Sequence, residues 1–503
     1  MAATPAWRHA TRIGAAGLVI LGLGVAMLGF AARASRLHPS AFAFLSNDPR
    51  PSITAHNSPA VAADPRRPLH VAMADKIDTP AVNCTVSVST DGGNDWSPAD
   101  PSPPDPATHC YWPDVAYDPA GDLLVLYTAM GQDFNDSRGV FLQRTSGGRP
   151  GGAPVAVAGP GAFHARLAVD GDRVLVAWVQ ITGATPFQAG SGAASRLLFA
   201  ASADGGRTFA APVGVGPPGR LLLQPTVVVG QDGQVVVGAL DLGADLMDYE
   251  SQHLGRAGPP YAGHWQVVTF RSTDGGATFG GRTAVGDIMP ARRIYPDMSS
   301  PAPGFAVDAS SGRIYATWDS GRGNARDVYL AWSDDAGRTW GRATQFPRPS
   351  SQTLPTVGVA PDGRVDLLFY DAGDDPADVL TEPELASSWD GGRTFTSQPV
   401  TGRPFDSRIG FGSSQGLGSL GQQLGVVSGR DRILAFWSDT RKGTIDDNDQ
   451  ELAVEVVDVR KGSGRNVALV VAGALLALAG AAVAVRGGRQ ARSGGSPARP
   501  NNR

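Results

Sequence analysis

Ser272-Thr-Asp-Gly-Gly-Ala-Thr-Phe279 decides the fold, because it is one of five near-copies of a single octet. The others are Ser89-Thr-Asp-Gly-Gly-Asn-Asp-Trp96, Ser202-Ala-Asp-Gly-Gly-Arg-Thr-Phe209, Ser333-Asp-Asp-Ala-Gly-Arg-Thr-Trp340 and Ser388-Trp-Asp-Gly-Gly-Arg-Thr-Phe395. The shared pattern is Ser-x-Asp-x-Gly-x-Thr-Trp/Phe, and it reads as a hairpin turn. The carboxylate accepts hydrogen bonds from the amides that follow it, the glycines supply positive φ, and the aromatic folds back between strands. The aspartates stand at 91, 204, 274, 335 and 390, so the separations are 113, 70, 61 and 55. The first is double length. Arg144-Thr-Ser-Gly-Gly-Arg149 lies midway in it and is an eroded sixth copy with Ser146 at the aspartate position.

Working outward, each octet follows three runs of β-branched and aromatic residues separated by turn residues. In the fifth unit these are Gly304–Asp308, Arg313–Trp318 and Asp327–Trp332. The central run recurs at Leu69–Met73, Leu124–Tyr127, Val174–Trp178, Val235–Ala239, Ile314–Trp318, Val365–Tyr370 and Ile433–Trp437. Small sheets at this period cannot bury both faces alone and stack radially, which predicts an all-β propeller. Seven blades are favoured. Six is the alternative, because an insertion from Asp241 to Gly263 distorts the fourth unit. The seventh unit ends at Leu452–Val457 with no octet after it, and the segment around Ser52-Ile-Thr-Ala55 is expected to supply its missing outer strand.

Two apolar runs bracket the repeats. Ile13–Ala32 follows Arg8 and Arg12 and is long enough for an export signal or a signal anchor, with Ala32-Arg33-Ala34 as a cleavage site. Val467–Val485 precedes Arg486, Arg489, Arg492, Arg499 and Arg503, a stop-transfer pattern that keeps the tail cytoplasmic. The expected layout is a signal or anchor at 1–34, a linker at 35–50, the propeller at 51–460, a transmembrane helix at 466–485 and a basic cytoplasmic tail at 486–503. The propeller is therefore expected outside the cell membrane. The chain holds two cysteines, Cys84 and Cys110, and in an exported domain such a pair reads as one disulfide. A net charge of -4 without a long basic run leaves no footprint for nucleic acid.

The octets resemble the Asp-box, or BNR, repeats of the sialidase superfamily, and residues 50–460 look like a propeller of that type. The resemblance makes Asp91, Asp204, Asp274, Asp335 and Asp390 structural. Sialidase domains are typically six-bladed and use a tyrosine nucleophile with a glutamate partner, an acid/base aspartate and three arginines on the substrate carboxylate, the first commonly in Arg-Ile-Pro. Arginine suits that role through its bidentate fork. This sequence has no Arg-Ile-Pro, and Arg50-Pro-Ser-Ile53 lacks the spacing, so no catalytic set carries over. Similar boxes occur in non-catalytic propellers such as sortilin-type receptors.

If the octets share one face, a ligand is expected on the other, where first strands begin and second strands end. The links into blades carry His109, Tyr111, Trp112, Asp114, His164, Arg166, Gln224, Arg292, Arg293, Tyr295, Asp297 and Arg408. Long loops add Asp241, Asp245, Tyr249, Glu250, His253, Asp319, Arg322, Arg326, Asp439 and Arg441. The expected ligand-face set is Tyr111, Trp112, Asp114, His164, Arg166, Arg293, Tyr295, Asp297, Arg408, Asp439 and Arg441. Each has a plainer reading: Trp112-Pro-Asp114 as a packed turn, Tyr249-Glu250 as a solvated loop, Asp439 and Arg441 as a pair across the blade. Asp446-Asp-Asn-Asp449 lacks the glycine and terminal glutamate of an EF-hand loop, so no metal is expected. No phosphate-binding loop, paired-histidine zinc motif or nucleophile elbow occurs, and no cofactor is expected. Two functions remain: a membrane-anchored propeller that binds a glycan, peptide or protein through its loop-rich face, or an exo-α-sialidase-type glycoside hydrolase.

Overall fold

The structure, a computed structural model, describes residues 37–46, 52–131, 136–146, 149–182, 194–218, 220–243, 265–289, 302–322, 325–346, 350–373, 379–411, 419–447 and 449–460, with single residues 375, 377 and 478 besides. Among them the strands form seven antiparallel sheets. The first strand, β1 (Leu37–Phe44), belongs to the last sheet. Blade 1 is β2 (His56–Ala63), β3 (Val71–Ile77), β4 (Asn83–Ser89) and β5 (Ser97–Pro98). Blade 2 is β6 (His109–Tyr117), β7 (Leu123–Met130) and β8 (Ser137–Ser146), with β9 (Arg149–Pro150) and β10 (Val155–Ala158) both on β8. Blade 3 is β11 (Ala162–Asp170), β12 (Arg173–Thr182), β13 (Ala194–Ser202) and β14 (Val213–Gly214). Blade 4 is β15 (Leu222–Val229), β16 (Val235–Asp241), β17 (Trp265–Ser272) and β18 (Thr283–Ile288). Blade 5 is β19 (Gly304–Val307), β20 (Ile314–Arg322), β21 (Ala325–Ser333) and β22 (Thr344–Gln345). Blade 6 is β23 (Gln352–Val359), β24 (Val365–Asp371), β25 (Leu380–Ser388) and β26 (Thr396–Pro399), with β27 (Phe405–Asp406) on β25. Blade 7 is β28 (Gly425–Ser428), β29 (Arg432–Asp439), β30 (Glu451–Val459) and, outermost, β1.

First strands touch in cyclic order, β2 to β6, β11, β15, β19, β23, β28 and back to β2, so the ring closes at seven and the six-bladed alternative is excluded. Second strands read as unbroken apolar runs because both of their faces are covered. On β7, Val125 packs in the seam with blade 1 while Leu124 and Leu126 pack in the seam with blade 3. The core is thus a set of seams between neighbouring sheets.

Five octets occupy the turn between third and fourth strands. In each, the serine hydroxyl donates to the aspartate at 2.7–2.8 Å and accepts the amide of the second glycine position at 2.8–2.9 Å. The terminal aromatics seal the seam with the preceding blade: Trp96 lies 5.8 Å from Phe436, Phe279 5.1 Å from Phe199 and Phe395 5.6 Å from Phe346, ring centre to ring centre. The eroded copy falls between β8 and β9, at the matching turn of blade 2.

The outer strand of blade 7 is β1 and not the Ser52–Ala55 segment. The reason is distance: three strand spacings of about 4.8 Å separate an outer strand from the axis. Ser52–Ala55 runs directly into β2, which is already innermost. It instead caps β30 through a parallel bridge between Ala55 and Gln450, with the His56 amide donating to the Gln450 carbonyl at 2.8 Å. Cys84 and Cys110 form a disulfide, Cα to Cα 5.4 Å, joining the third strand of blade 1 to the first strand of blade 2. The apolar runs at 13–32 and 467–485 lie outside the described residues; among those described, no helix is long and apolar enough to cross a membrane.

Candidate functional site

Five first strands share a device near their start. Ser58, Trp112, His164, Gln224 and Leu354 adopt φ of 55°, 44°, 50°, 49° and 52°, and each coincides with a shift in the ladder to the second strand. Proline follows in four cases, at Pro59, Pro113, Pro225 and Pro355. A bulged residue is unpaired, so a missing amide proton costs no ladder bond there.

The bulges bring a cluster together at the loop-rich end of the axis. Tyr111 and Trp112 are buried, their rings 4.4 Å apart, and His164 sits edge-on to Trp112 at 4.1 Å. The Tyr111 hydroxyl donates to Asp78, which also accepts Lys76 Nζ at 2.6 Å and Asn57 Nδ2 at 2.8 Å. His164 is 5 % exposed, and neither ring nitrogen has a hydrogen-bond partner among the described residues. Burial, with Arg166 and Lys76 nearby, holds its pKa well below the usual histidine range, so the ring is neutral. Asp114 accepts the Leu167 amide at 2.9 Å and the Val115 amide at 3.0 Å; burial raises its pKa against the pull of Arg166.

Ser419–Gln423, ahead of β28, lies among residues of blades 1, 2 and 3 and of the link into blade 5. Gln422 donates its amide to Ser58 Oγ at 2.9 Å, accepts Trp112 Nε1 at 3.3 Å, and its carbonyl accepts the Ala302 amide at 2.9 Å. Gln423 donates to the carbonyls of Ser58 and Pro59 at 3.3 and 3.0 Å and accepts Arg166 from blade 3. Gly421 makes this approach possible: its φ is +98°, and a Cβ there would stand 2.6 Å from Ser58 Oγ and 2.9 Å from the Ser58 amide. The sequence reading missed Lys76, Asp78, Gln422 and Gln423. The repeated x-Pro in first strands and the glycine-rich stretch before unit seven were the available signals.

Of the expected ligand-face residues, Tyr111, Trp112, Asp114, His164 and Arg166 converge at the plugged mouth, where the first, second and fourth are buried in protein. Arg408, Asp439 and Arg441 lie apart, on blades 6 and 7. Arg408 pairs with Asp406 at 2.6 Å and Arg441 with Asp439 at 2.8 Å. The Arg441 guanidinium stands 5.3 Å from the Phe42 ring and 6.0 Å from Phe405. Other arginines of this end are likewise held by carboxylates, Arg220 and Arg282 by Asp241 and Arg326 by Asp319. Tyr370 exchanges hydrogen bonds with the backbone of Ser438 at 2.8 and 3.1 Å, and burial raises its pKa well above the usual range. Asp447 caps a turn, accepting the amides of Thr444 at 2.7 Å and Asp449 at 3.1 Å. Arg292, Arg293, Tyr295, Asp297, Asp245, Tyr249, Glu250 and His253 lie outside the described residues. A cleft of about 390 Å³ between blades 5 and 6, lined by Leu330, Phe346, Leu367, Arg393 and Phe395, contains none of the ligand-face set.

No protein-family model matches the chain, and no curated protein matches it. Among solved structures it is similar to a protein of unknown function from Dyadobacter fermentans DSM 18053, at 13 % identity over 85 % of this chain and 100 % of that one, TM-score 0.46. It is similar also to an ulvan lyase of polysaccharide lyase family PL25, at 13 % identity over 80 % and 94 % of the two chains, TM-score 0.46. A sialidase from Streptococcus pneumoniae matches at 11 % identity over 83 % and 70 %, TM-score 0.39. At these identities the likeness is one of fold.

Proposed function

We propose that this protein is a membrane-anchored, extracytoplasmic propeller that binds a carbohydrate or protein ligand through its loop-rich face and performs no glycoside hydrolysis. One observation carries the reading: the place where a ring of this kind could admit a sugar ring along its axis is occupied by Ser419–Gln423 of the same chain, with Arg166 engaged by Gln423. A carboxylate clamp needs arginines free to face the ligand. Arg220, Arg326, Arg408 and Arg441 at this end are tied to Asp241, Asp319, Asp406 and Asp439. Among the described residues, Phe42 and Leu380 are exposed on blades 7 and 6 beside Arg441 and Arg408. An apolar ring edge and leucine side chain flanked by Arg–Asp pairs suit a sugar face with its hydroxyls, or a peptide.

The test is a pair of measurements on the ectodomain, residues 35–460. Incubation with the 4-methylumbelliferyl conjugate of sialic acid is expected to release no fluorophore. Retention on immobilised glycans or peptides is expected to fall at least tenfold in Arg408→Ala/Arg441→Ala. Turnover abolished by Arg166→Ala would reverse the reading in favour of the hydrolase.

A further inference from the structure

The propeller is joined to the rest of the chain at one place, and that place has a side. Ser40 Oγ donates to the Val456 carbonyl at 3.0 Å, so the chain comes into the ring and leaves it along neighbouring strands of blade 7. Val456 Cγ2 lies 3.3 Å from the point a Cβ on Gly93 would occupy, which sets this junction beside the Ser-x-Asp turn of blade 1. Among the described residues, the large apolar side chains exposed on the same face belong to the two blades that flank blade 7. Leu69, 53 % exposed, ends the turn Pro65-Arg-Arg-Pro-Leu69 of blade 1, and Trp389, 36 % exposed, stands in the octet of blade 6. Arg66 and Arg67 share the turn with Leu69, Arg393 stands in the same octet as Trp389, and Arg430 is exposed in the turn between β28 and β29 of blade 7.

From these we infer that the turn-bearing face lies against the bilayer, with the arc of blades 6, 7 and 1 at the lipid headgroups and the loop-rich face pointing away. The inference rests on the membrane anchoring proposed above. The chain's own length argues for this occupant. Eight positions separate Val459 from the apolar run beginning at Val467. A fully extended chain covers at most about 3.6 Å per residue, so the blade 7 edge stays within about 30 Å of the hydrocarbon. A body held that close by one edge meets the surface with whichever face carries the tether. Tryptophan settles at headgroup depth and arginine pairs with lipid phosphate. The arc is not net cationic, since the exposed Asp95, Asp362, Asp390 and Asp431 match those four arginines in number, so the contact requires no anionic lipid.

The two cysteines are paired, which leaves an introduced thiol as the labelling site. Leu69→Cys, Trp389→Cys and, on the loop-rich face, Ile445→Cys are each labelled with an NBD fluorophore in the full chain, reconstituted into phosphatidylcholine vesicles containing doxyl lipid. Quenching at 69 and 389 is expected to exceed that at 445 at least threefold. Equal or greater quenching at 445, or none at any site in protein that floats with the vesicles, overturns the orientation while anchoring stands. A full chain that does not float overturns anchoring and this inference together. Circular dichroism matched to the parent confirms that each variant is folded.

Discussion

Single residues show most directly how the octets work and where one of them departs. The aspartates titrate low because their turns solvate the charged form: Asp204 through the Thr208 hydroxyl and amide, Asp274 through the Thr278 hydroxyl with Ser272. At Asp390 burial opposes the shift, yet Thr394 and Ser388 still hold the carboxyl at about 2. The fourth octet carries alanine where the others carry glycine, and Ala336 is forced to φ 55°. A left-handed conformation costs a residue with a Cβ roughly 1 kcal/mol. Ala336→Gly should therefore raise the melting temperature of the propeller by about 1–2 °C, read by calorimetry, despite the added freedom of the unfolded chain. A lower melting temperature would show that Ala336 is unstrained or that its buried methyl matters more. This chemistry was legible in the sequence because it is local: each bond made by the serine hydroxyl or the aspartate carboxylate falls within five consecutive positions. The bulges at Trp112 and His164 were not, since nothing in either residue type announces a left-handed backbone, and so side chains expected on a ligand wall turned up packed inside.

Strands bring in partners that are far apart in the chain, and there the sequence says less. The seven second strands stood out because burial on both faces demands continuous apolar residues. Leu37–Phe44 did not, with Pro39 in its middle and alanines between, although an outermost strand tolerates both. Its partner β30 lies some four hundred positions downstream, beyond any local pattern. Their pairing also carries a titratable group. Glu455 on β30 is 5 % exposed, and burial lifts its pKa to about 7 against the backbone amides of Ser40 and Ala41. A carboxyl whose pKa is raised on folding binds a proton in the native state that the unfolded chain lacks, so stability falls as pH climbs from about 4.5 to 7. Denaturant unfolding at pH 5 and 7.5 should show this loss, roughly 1–3 kcal/mol, and Glu455→Gln should remove it. An unchanged pH dependence in that variant would assign it elsewhere. Turn carboxylates such as Asp390 act in the opposite sense and in a separate window, as pH drops from about 4 to 2.

Across the whole molecule, cohesion comes from seams between sheets and two fastenings across the ring. One is the disulfide, expected from composition and found joining blades 1 and 2. With its cysteines 26 positions apart, its removal in Cys84→Ala/Cys110→Ala should lower unfolding free energy by about 2–4 kcal/mol, measured in guanidinium; no change would mean the blade seam suffices alone. The other is Ser419–Gln423, illegible beforehand because a stretch of glycine, serine and glutamine looks like any solvated link until the blades around it are in place. Pairing of β1 with β30 has a further consequence for biosynthesis. Leu37–Phe44 leaves the ribosome before any other part of the propeller, yet its neighbour is translated last. Throughout synthesis this strand waits without a mate, open to whatever other edge it meets, until the final strand arrives.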